Sequence, residues 1–418
     1  MTTAAEVLAR CAELDRCSAS PHHLERVHLT PEHAAANRLA AGWLERAGLR
    51  TWQDAAGNQW GRREAGTPDR PVPGRPALVL GSHLDTVPDA GSYDGMLGVV
   101  MAIAVAERLR GTDLPVALEV VGFGDEEGAR FGKALLGSSA VAGTWDPAWL
   151  DLRDAGGGTL HQAFLDFGLD PAAVGAAARR PEELVGYLEA HIEQGPHLEA
   201  ADRSLGYVTT IAGARRFLLS VVGEARHAGG TPYPRRRDAL AGAGEAVVAV
   251  ERLACDGGCL ATVGRLQVWP GAVNVIPGRA ELTLDLRAAT DAERDAMWAR
   301  MHAEIAAICA RRGLTLEVVE THRAPAAPCA PWLQQAVVAG IRATDDAGAD
   351  EPMALWSPAG HDAMALAAVT DIGMLFLRCA DGISHSPDED VREIDVARGL
   401  DALEAAVRHA AAAAAART

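Results

Sequence analysis

The sequence predicts an α/β protein: a larger domain with a mixed sheet flanked by helices, and an inserted α+β domain on a four-stranded antiparallel sheet. Three observations predict it. Apolar, β-branched runs repeatedly end in bursts of His, Asp and Glu. From about Ala212 the pattern changes to a β-α-β-β-α-β order. The 418 residues are enough for two domains. Residues 1–211 and 328–418 are assigned to the larger domain, and 212–327 to the insert.

Met1–Cys17 reads as an amphipathic helix. Pro31–Gly48 is a second helix, with Thr30 placed to cap it and Pro31 at its first position. Ala35, Leu39, Trp43 and Leu44 share one of its sides. Leu49–Gln59 gives a strand and a turn at Ala56-Gly57-Asn58. Ala77–Leu80 reads as a short buried strand ended by Gly81, and His83, Asp85 and Asp94 follow in one loop. Carboxyl ends of strands in open α/β sheets are where ligands collect. A His-x-Asp pair there suits a metal: imidazole binds the ion while a carboxylate fixes the ring tautomer. Asp94, between Tyr93 and Gly95, is a hard ligand able to bridge two ions. An ordinary polar loop with a capping Asp is the other reading. A helix over Leu97–Leu109 follows.

Val116–Phe123 is the next strand, and it too ends in a polar burst, Gly124-Asp125-Glu126-Glu127-Gly128. Adjacent carboxylates repel; a bound dication resolves the conflict and lets one Glu ligate while the other handles protons. A solvated acidic turn is the alternative. Asp146–Pro181 is read as connecting helices and loops. Tyr187–Gln194 alternates like a strand, carrying His191 and Glu193 to one side before Gly195-Pro196. His191 is read as a ligand rather than a core histidine because it repeats the strand-end pattern.

In the insert, Arg216–Gly223, Ala261–Val268, Arg279–Leu286 and Thr315–Glu320 read as strands, and Arg237–Leu253 and Asp291–Arg311 as helices. That order fits a compact antiparallel sheet with helices on one face. Helical periodicity resumes over Trp332–Asp345, and Trp356–Asp362 is a Gly-containing loop before a helix at Ala363–Val369. Ile372–Cys379 is a strand, and His385 lies just beyond it. Val391–Ala415 is the last helix, alanine-rich and without evident chemistry.

Apolar residues make up 49% and charged residues 23%, ordinary for a soluble globular chain. The net charge of −17 argues against nucleic acid or an anionic membrane as partner. A small anionic substrate stays open, because a metal and one Arg reverse the local sign. The longest apolar run, Met96–Ala106, is too short to span a bilayer. An odd, scattered set of seven cysteines, with no basic and apolar leader pattern, points to the cytoplasm and reduced thiols. Cys255 and Cys259 have no second pair at zinc-finger spacing, so no structural zinc is expected there.

Assembled, the motifs GSHLDTV…YDG, DEEGARF, HIEQGP, HAGGTP, PGAVNVIPG, GHDA and GISHSP span nearly the whole chain. In this order they resemble the dinuclear-zinc amidohydrolases related to aminoacylases and carboxypeptidase-type peptidases. The closer resemblance is to the group of allantoate amidohydrolases, N-carbamoyl-L-amino-acid hydrolases and β-ureidopropionases. It implies a zinc-exopeptidase-like catalytic domain and an inserted dimerisation domain that acts as a lid. It implies two divalent ions, zinc first and manganese or cobalt as alternatives. His83, Asp94 and His191 would hold one, and Asp94, Glu127 and His385 the other. Asp85 would orient His83, and Glu126 would be the general base. His227 would reach the partner's substrate in a homodimer and steady the oxyanion. Arg287 and Asn274 would hold a substrate carboxylate, Gln194 would lie near the ureido group, and Gly360 would line the pocket. A His at position 191 favours ureido cleavage over an aminoacylase or dipeptidase on the same fold. A complete ligand set disfavours a non-catalytic binding protein. Tyr233 stands where the group has Met, and Pro358 replaces a small residue; both bear on substrate identity, which stays open among allantoate, N-carbamoyl amino acids and β-ureidopropionate. In Arg235-Arg236-Arg237 only Arg236 matches the group, and its neighbours are read as solvated charges.

Overall fold

Helix starts follow from local chemistry. The Thr3 hydroxyl accepts the Glu6 amide proton and the Glu6 carboxylate accepts that of Thr3, a reciprocal cap that begins Ala4–Asp15. The Thr30 hydroxyl accepts the His33 amide to cap Pro31–Arg46, with Pro31 supplying its fixed φ at the first position. The computed structural model describes residues 2–346 and 351–417. Met1, the first residue of the expected N-terminal helix, lies outside them, as do residues 347–350 and 418.

The chain divides into two units: Met1–Thr209 with Pro328–Leu355 and Gly360–Thr418, and Thr210–Ala327 with Trp356–Ala359. The first carries a mixed sheet in the order Arg50–Gln53, Gln59–Arg63, Ala117–Phe123, Ala77–His83, Leu184–Ile192, Ile372–Leu377, Leu205–Ile211, Ala327–Pro328. Its centre is parallel, and its flanks are antiparallel. Ala77–His83 and Ala117–Phe123 are buried at every residue, as strands covered on both faces must be. The helix Met96–Arg108 is buried from Met96 through Ala106, which explains its unbroken apolar sequence. Parallel register sets His83 opposite Phe123 and His191 opposite Phe376, so the ends of four strands meet at one edge. That alignment is what places the site.

Gln59–Arg63, Leu205–Ile211 and Met353–Ser357 are among the strands not anticipated from patterning, as are the short Ala65–Thr67 and Arg70–Val72. Trp356 and Ser357, expected in a loop, end the strand Met353–Ser357. Among the described residues no helix is long and apolar enough to cross a membrane.

The second unit has an antiparallel sheet in the order Leu260–Thr262, Arg279–Ala288, Gly213–Val222, Thr315–Ala324. Leu266–Trp269 also pairs with Arg279–Ala288. The single strand expected over Ala261–Val268 is therefore two segments. Thr262 pairs with Asp285 and Leu266 with Leu282, so one extra residue is accommodated by a bulge at Val263–Arg265. Burial alternates strictly along Arg279–Ala288, the signature of a half-covered strand. Helices Ala239–Gly257 and Asp291–Arg311 supply the other half of this core, which includes Val250, Met301 and Ile305.

Candidate metal centre

His83 is the last residue of its strand, and its Nδ1 lies 3.0 Å from the Asp85 carbonyl oxygen. His191 Nδ1 lies 2.9 Å from the Ile192 carbonyl oxygen. A carbonyl can only accept, so each Nδ1 donates its proton and each Nε2 of the neutral ring keeps a lone pair. Both Nε2 atoms face Asp94 Oδ1, at 3.7 and 3.2 Å. His191 Nε2 is buried without a hydrogen-bond partner. Two ring nitrogens converging on one carboxylate oxygen need positive charge between them, ring protons in the free protein or a metal ion in their place, so these residues fit a metal ion.

Asp94 Oδ2 turns the other way. It lies 3.1 Å from His385 Nε2, which is itself 3.2 Å from Glu127 Oε1. His83, Asp94 and His191 form one donor group, and Asp94, Glu127 and His385 a second; within each, the donor atoms lie within 4.8 Å of one another. Asp94 is common to both. Burial opposes its charge, yet His191, His385 and His83 hold its carboxyl well below the ordinary range. Asp94 and Glu127 raise the His385 imidazole to about 10. Glu126 sits in a third group with His83 and Glu127, and burial, Glu127, Asp362 and Asp85 push its carboxyl well above the ordinary value. A carboxyl so raised is suited to taking and returning a proton near neutral pH.

The backbone holds this arrangement in place. Asp85 accepts the Glu126 amide at 3.0 Å and the Glu127 amide at 3.3 Å, so its carboxylate braces the acidic loop while its carbonyl meets His83. Its carboxylate oxygen is 3.7 Å from His83 Nδ1. Gln194 Nε2 and the Ser384 hydroxyl reach Asp94 Oδ2, each at 2.7 Å. Gly95 has φ +73, and a Cβ there would lie 2.3 Å from His83 Nε2, so only glycine fits. A Cβ on Gly360 would sit 3.6 Å from Glu126 Oε1, an ordinary contact; Gly360 borders the base without being sterically required. Asp125, Gln194 and His385 adopt left-handed backbone conformations, with φ of 63, 55 and 56°.

Several residues escaped the sequence reading. Glu389 accepts the amides of Tyr93 at 2.7 Å and Asp94 at 3.0 Å, and Ser384 bridges it to the Asp94 carboxylate. Glu189, two residues before His191 on the same strand face, accepts the Ser82 hydroxyl and the Ala363 amide. It forms a further donor group with His191 and His361, whose ring centroid is 4.4 Å from that of His191. Period-two alternation in Tyr187–Gln194 was the available signal for Glu189. Glu193 is a brace instead, accepting the amides of His197 and Leu198 at 2.8 Å each.

His227, Asn274 and Arg287 belong to the second unit. Arg226–His227 pairs with Val275–Ile276, which brings His227 and Asn274 together, and the Asn274 carbonyl accepts the Ala228 amide. His227 is exposed, and its Nδ1 accepts the Gly230 amide at 2.9 Å. Its proton therefore sits on Nε2, which is left as a donor. Arg287 lies on a separate strand, paired with Asp285 at 2.8 Å and donating to the Pro358 carbonyl at 2.8 Å.

Residues 79–409 match the model of peptidase family M20/M25/M40. The chain is similar to allantoate deiminase of Arabidopsis thaliana, at 39% identity over 431 residues, covering 96% of this chain and 81% of that protein. It is 40% identical over 381 residues to an N-carbamoyl-L-amino acid amidohydrolase of Geobacillus stearothermophilus, covering 90% of this chain and 91% of that one. The crystal structure of a hydantoinase/carbamoylase family amidase from Burkholderia multivorans superposes with a TM-score of 0.87 at 33% identity, over 98% of each chain. With its matched span and its buried His and carboxylate clusters, the chain belongs to peptidase family M20/M25/M40.

Proposed function

We propose that the protein is a metal-dependent amidohydrolase that cleaves the linear C–N bond of a ureido carboxylate, such as allantoate or an N-carbamoyl-L-amino acid, releasing ammonia and carbon dioxide. The carrying observation is the pair of donor groups sharing Asp94, with the buried Glu126 carboxyl beside them. Two divalent ions, zinc first and manganese or cobalt as alternatives, held by His83, Asp94 and His191 and by Asp94, Glu127 and His385, would polarise the carbonyl and supply a nucleophile at neutral pH.

Glu126 takes the proton of the attacking water on its carboxylate and returns it to the leaving nitrogen. Asp85 keeps the Glu126–Glu127 backbone in place during both transfers. Gln194 has one amide end committed to Asp94, while its Oε1 is buried without a partner and suits a ureido N–H. Arg287 and Asn274 anchor the substrate carboxylate; the Arg287 fork exchanges its Asp285 contact for the substrate. Gly360 leaves room beside Glu126. His227, from a partner subunit, donates from Nε2 to the developing oxyanion.

The homodimer reading is supported by Leu260, Leu266 and Trp269, exposed on the outermost strand position of the second unit's sheet, and by the fully exposed Val273. That unit, residues 212–327, would act as dimerisation domain and lid, hinged near Ala212 and Pro328. The net charge of −17 supports a reading without nucleic acid or anionic membrane partners, and the seven free cysteines support a cytoplasmic one.

The test is ammonia release by metal-loaded protein on allantoate and N-carbamoyl-L-amino acids, beside N-acetyl amino acids and dipeptides. Ammonia from the ureido compounds is expected. Cleavage of acyl or peptide bonds alone would overturn the reading.

A further inference from the structure

The basic triplet has no part in the chemistry above. Arg235, Arg236 and Arg237 line an open cleft of about 850 Å³ in the second unit, together with Arg226, Arg311 and Arg312. Three separate segments contribute them: the short strand Arg226–His227, the turn that leads into helix Ala239–Gly257, and the end of helix Asp291–Arg311.

Carboxylates compensate only part of this charge. Glu224 pairs with Arg226 at 2.7 Å, and Glu245 is shared by Arg311 and Arg312. Asp238 caps the helix and acts on Arg312. Arg236 directs its donors to the Thr231 and Ala228 carbonyls, and Arg237 to that of Gly313; carbonyls neutralise no charge. Arg237 is exposed, as the sequence implied, with this one carbonyl contact. Among the described residues Arg235 makes no ion pair. Six guanidiniums face three carboxylates, so three positive charges stand uncompensated in a chain whose net charge is −17. Tyr233, 82% exposed, stacks under Arg236 at 4.3 Å and fixes the plane of that guanidinium at the mouth of the cleft.

We infer that this cleft is a binding site for a small multivalent phosphate, a diphosphate or larger. Guanidinium forks match phosphate oxygens bidentately, which a point-charge cation does not. The three uncompensated cations, Arg235, Arg236 and Arg237, lie on one turn and repel one another, while the paired Arg226, Arg311 and Arg312 line the rest of the cleft. A single orthophosphate carries less charge than the turn, and two linked phosphoryl groups match it. The helix end is already capped by Asp238, so the arginines carry the site.

Hydrogen exchange by mass spectrometry on the full metal-loaded chain, with and without millimolar inorganic pyrophosphate, reads this site separately from the metal centre. Protection is expected in peptides covering residues 226–241 and 311–314. The double variant R235Q/R237Q should raise the concentration for half-protection about tenfold or more, as loss of charge-assisted bonds implies. Should that variant melt early, R311Q, on a 61% exposed side chain, should shift it in the same direction. Orthophosphate should need about tenfold more than pyrophosphate. Protection confined to the segments bearing His83, Glu127 and His385 would place pyrophosphate on the metals alone and overturn the inference. So would an unchanged concentration dependence in both variants, or equal affinity for orthophosphate.

Discussion

Glu389 touches no expected metal ligand atom, yet its removal should disturb the metal centre strongly. Its Oε1 accepts two amides, those of Tyr93 and Asp94, and its Oε2 meets the Ser384 hydroxyl at 2.8 Å. Ser384 has one proton and faces two carboxylates, those of Glu389 and Asp94. Burial and Asp94 push the Glu389 carboxyl up from the ordinary range, and the Ser384 hydroxyl ties it to the Asp94 carboxylate. Glu389→Ala orphans two amides in a largely buried place, roughly 1–3 kcal/mol each. Gly91 has no side chain to fill the gap, because a Cβ there would lie 2.4 Å from Glu389 atoms. With Asp94 loosened, metal affinity should fall about 10–100-fold, the usual effect of losing an outer partner of a ligand. Glu389→Gln can accept the same amides and donate to Ser384, so it should stay within about threefold of wild type on the same scale. Metal retained after dialysis against graded chelator, measured by elemental analysis, checks both. Wild-type retention in the Ala variant, or equal loss in the Gln variant, would refute the reasoning.

Glu126→Gln should lower turnover by about 10²–10⁴-fold with metal content unchanged, as loss of a general base does; activity near wild type in the metal-replete variant would remove Glu126 from that role. His385, raised from 6.5 to about 10, adds stability to the metal-free protein that is full below pH 6.5 and is lost as pH rises through about 10. The melting temperature of chelator-treated protein should therefore fall across that window, and fall less in His385→Ala. Subunit mixing tests the crossing of His227: Glu126→Gln and His227→Ala are each expected to be poorly active alone. Refolded together they should regain activity, because one site of the mixed dimer has both groups; no regain would confine His227 to its own subunit.

The residues of the two donor clusters were legible because the strands announce themselves. Ala77–Leu80 and Val116–Phe123 are apolar and β-branched, as doubly covered strands must be, and the chemistry follows directly where each ends. His385 and His191 repeat that pattern. The supporting residues were harder to read. Glu389 lies 295 positions from the Asp94 amide it holds, and no local spacing reveals so distant a contact. Ser384 and His361 sit inside recognised motifs, yet composition gives no reason to separate them from loop polars. Leu205–Ile211 was passed over although Val208–Ile211 is β-branched throughout. The split at Val263–Arg265 was signalled by Gly264-Arg265, across which the apolar alternation shifts from Ala261 and Val263 to Leu266 and Val268, and that change of phase was overlooked.

Asp125, Gln194 and His385 share a backbone conformation that side chains adopt reluctantly. Each would lose about 1 kcal/mol or more of strain as glycine, and part of that as asparagine. A laboratory selection for thermal endurance alone, with no demand on turnover, would drift toward Gly or Asn at these three positions. Such a lineage would become hardier as it became inert. Libraries built to toughen this enzyme should therefore hold positions 125, 194 and 385 constant and seek their gains elsewhere.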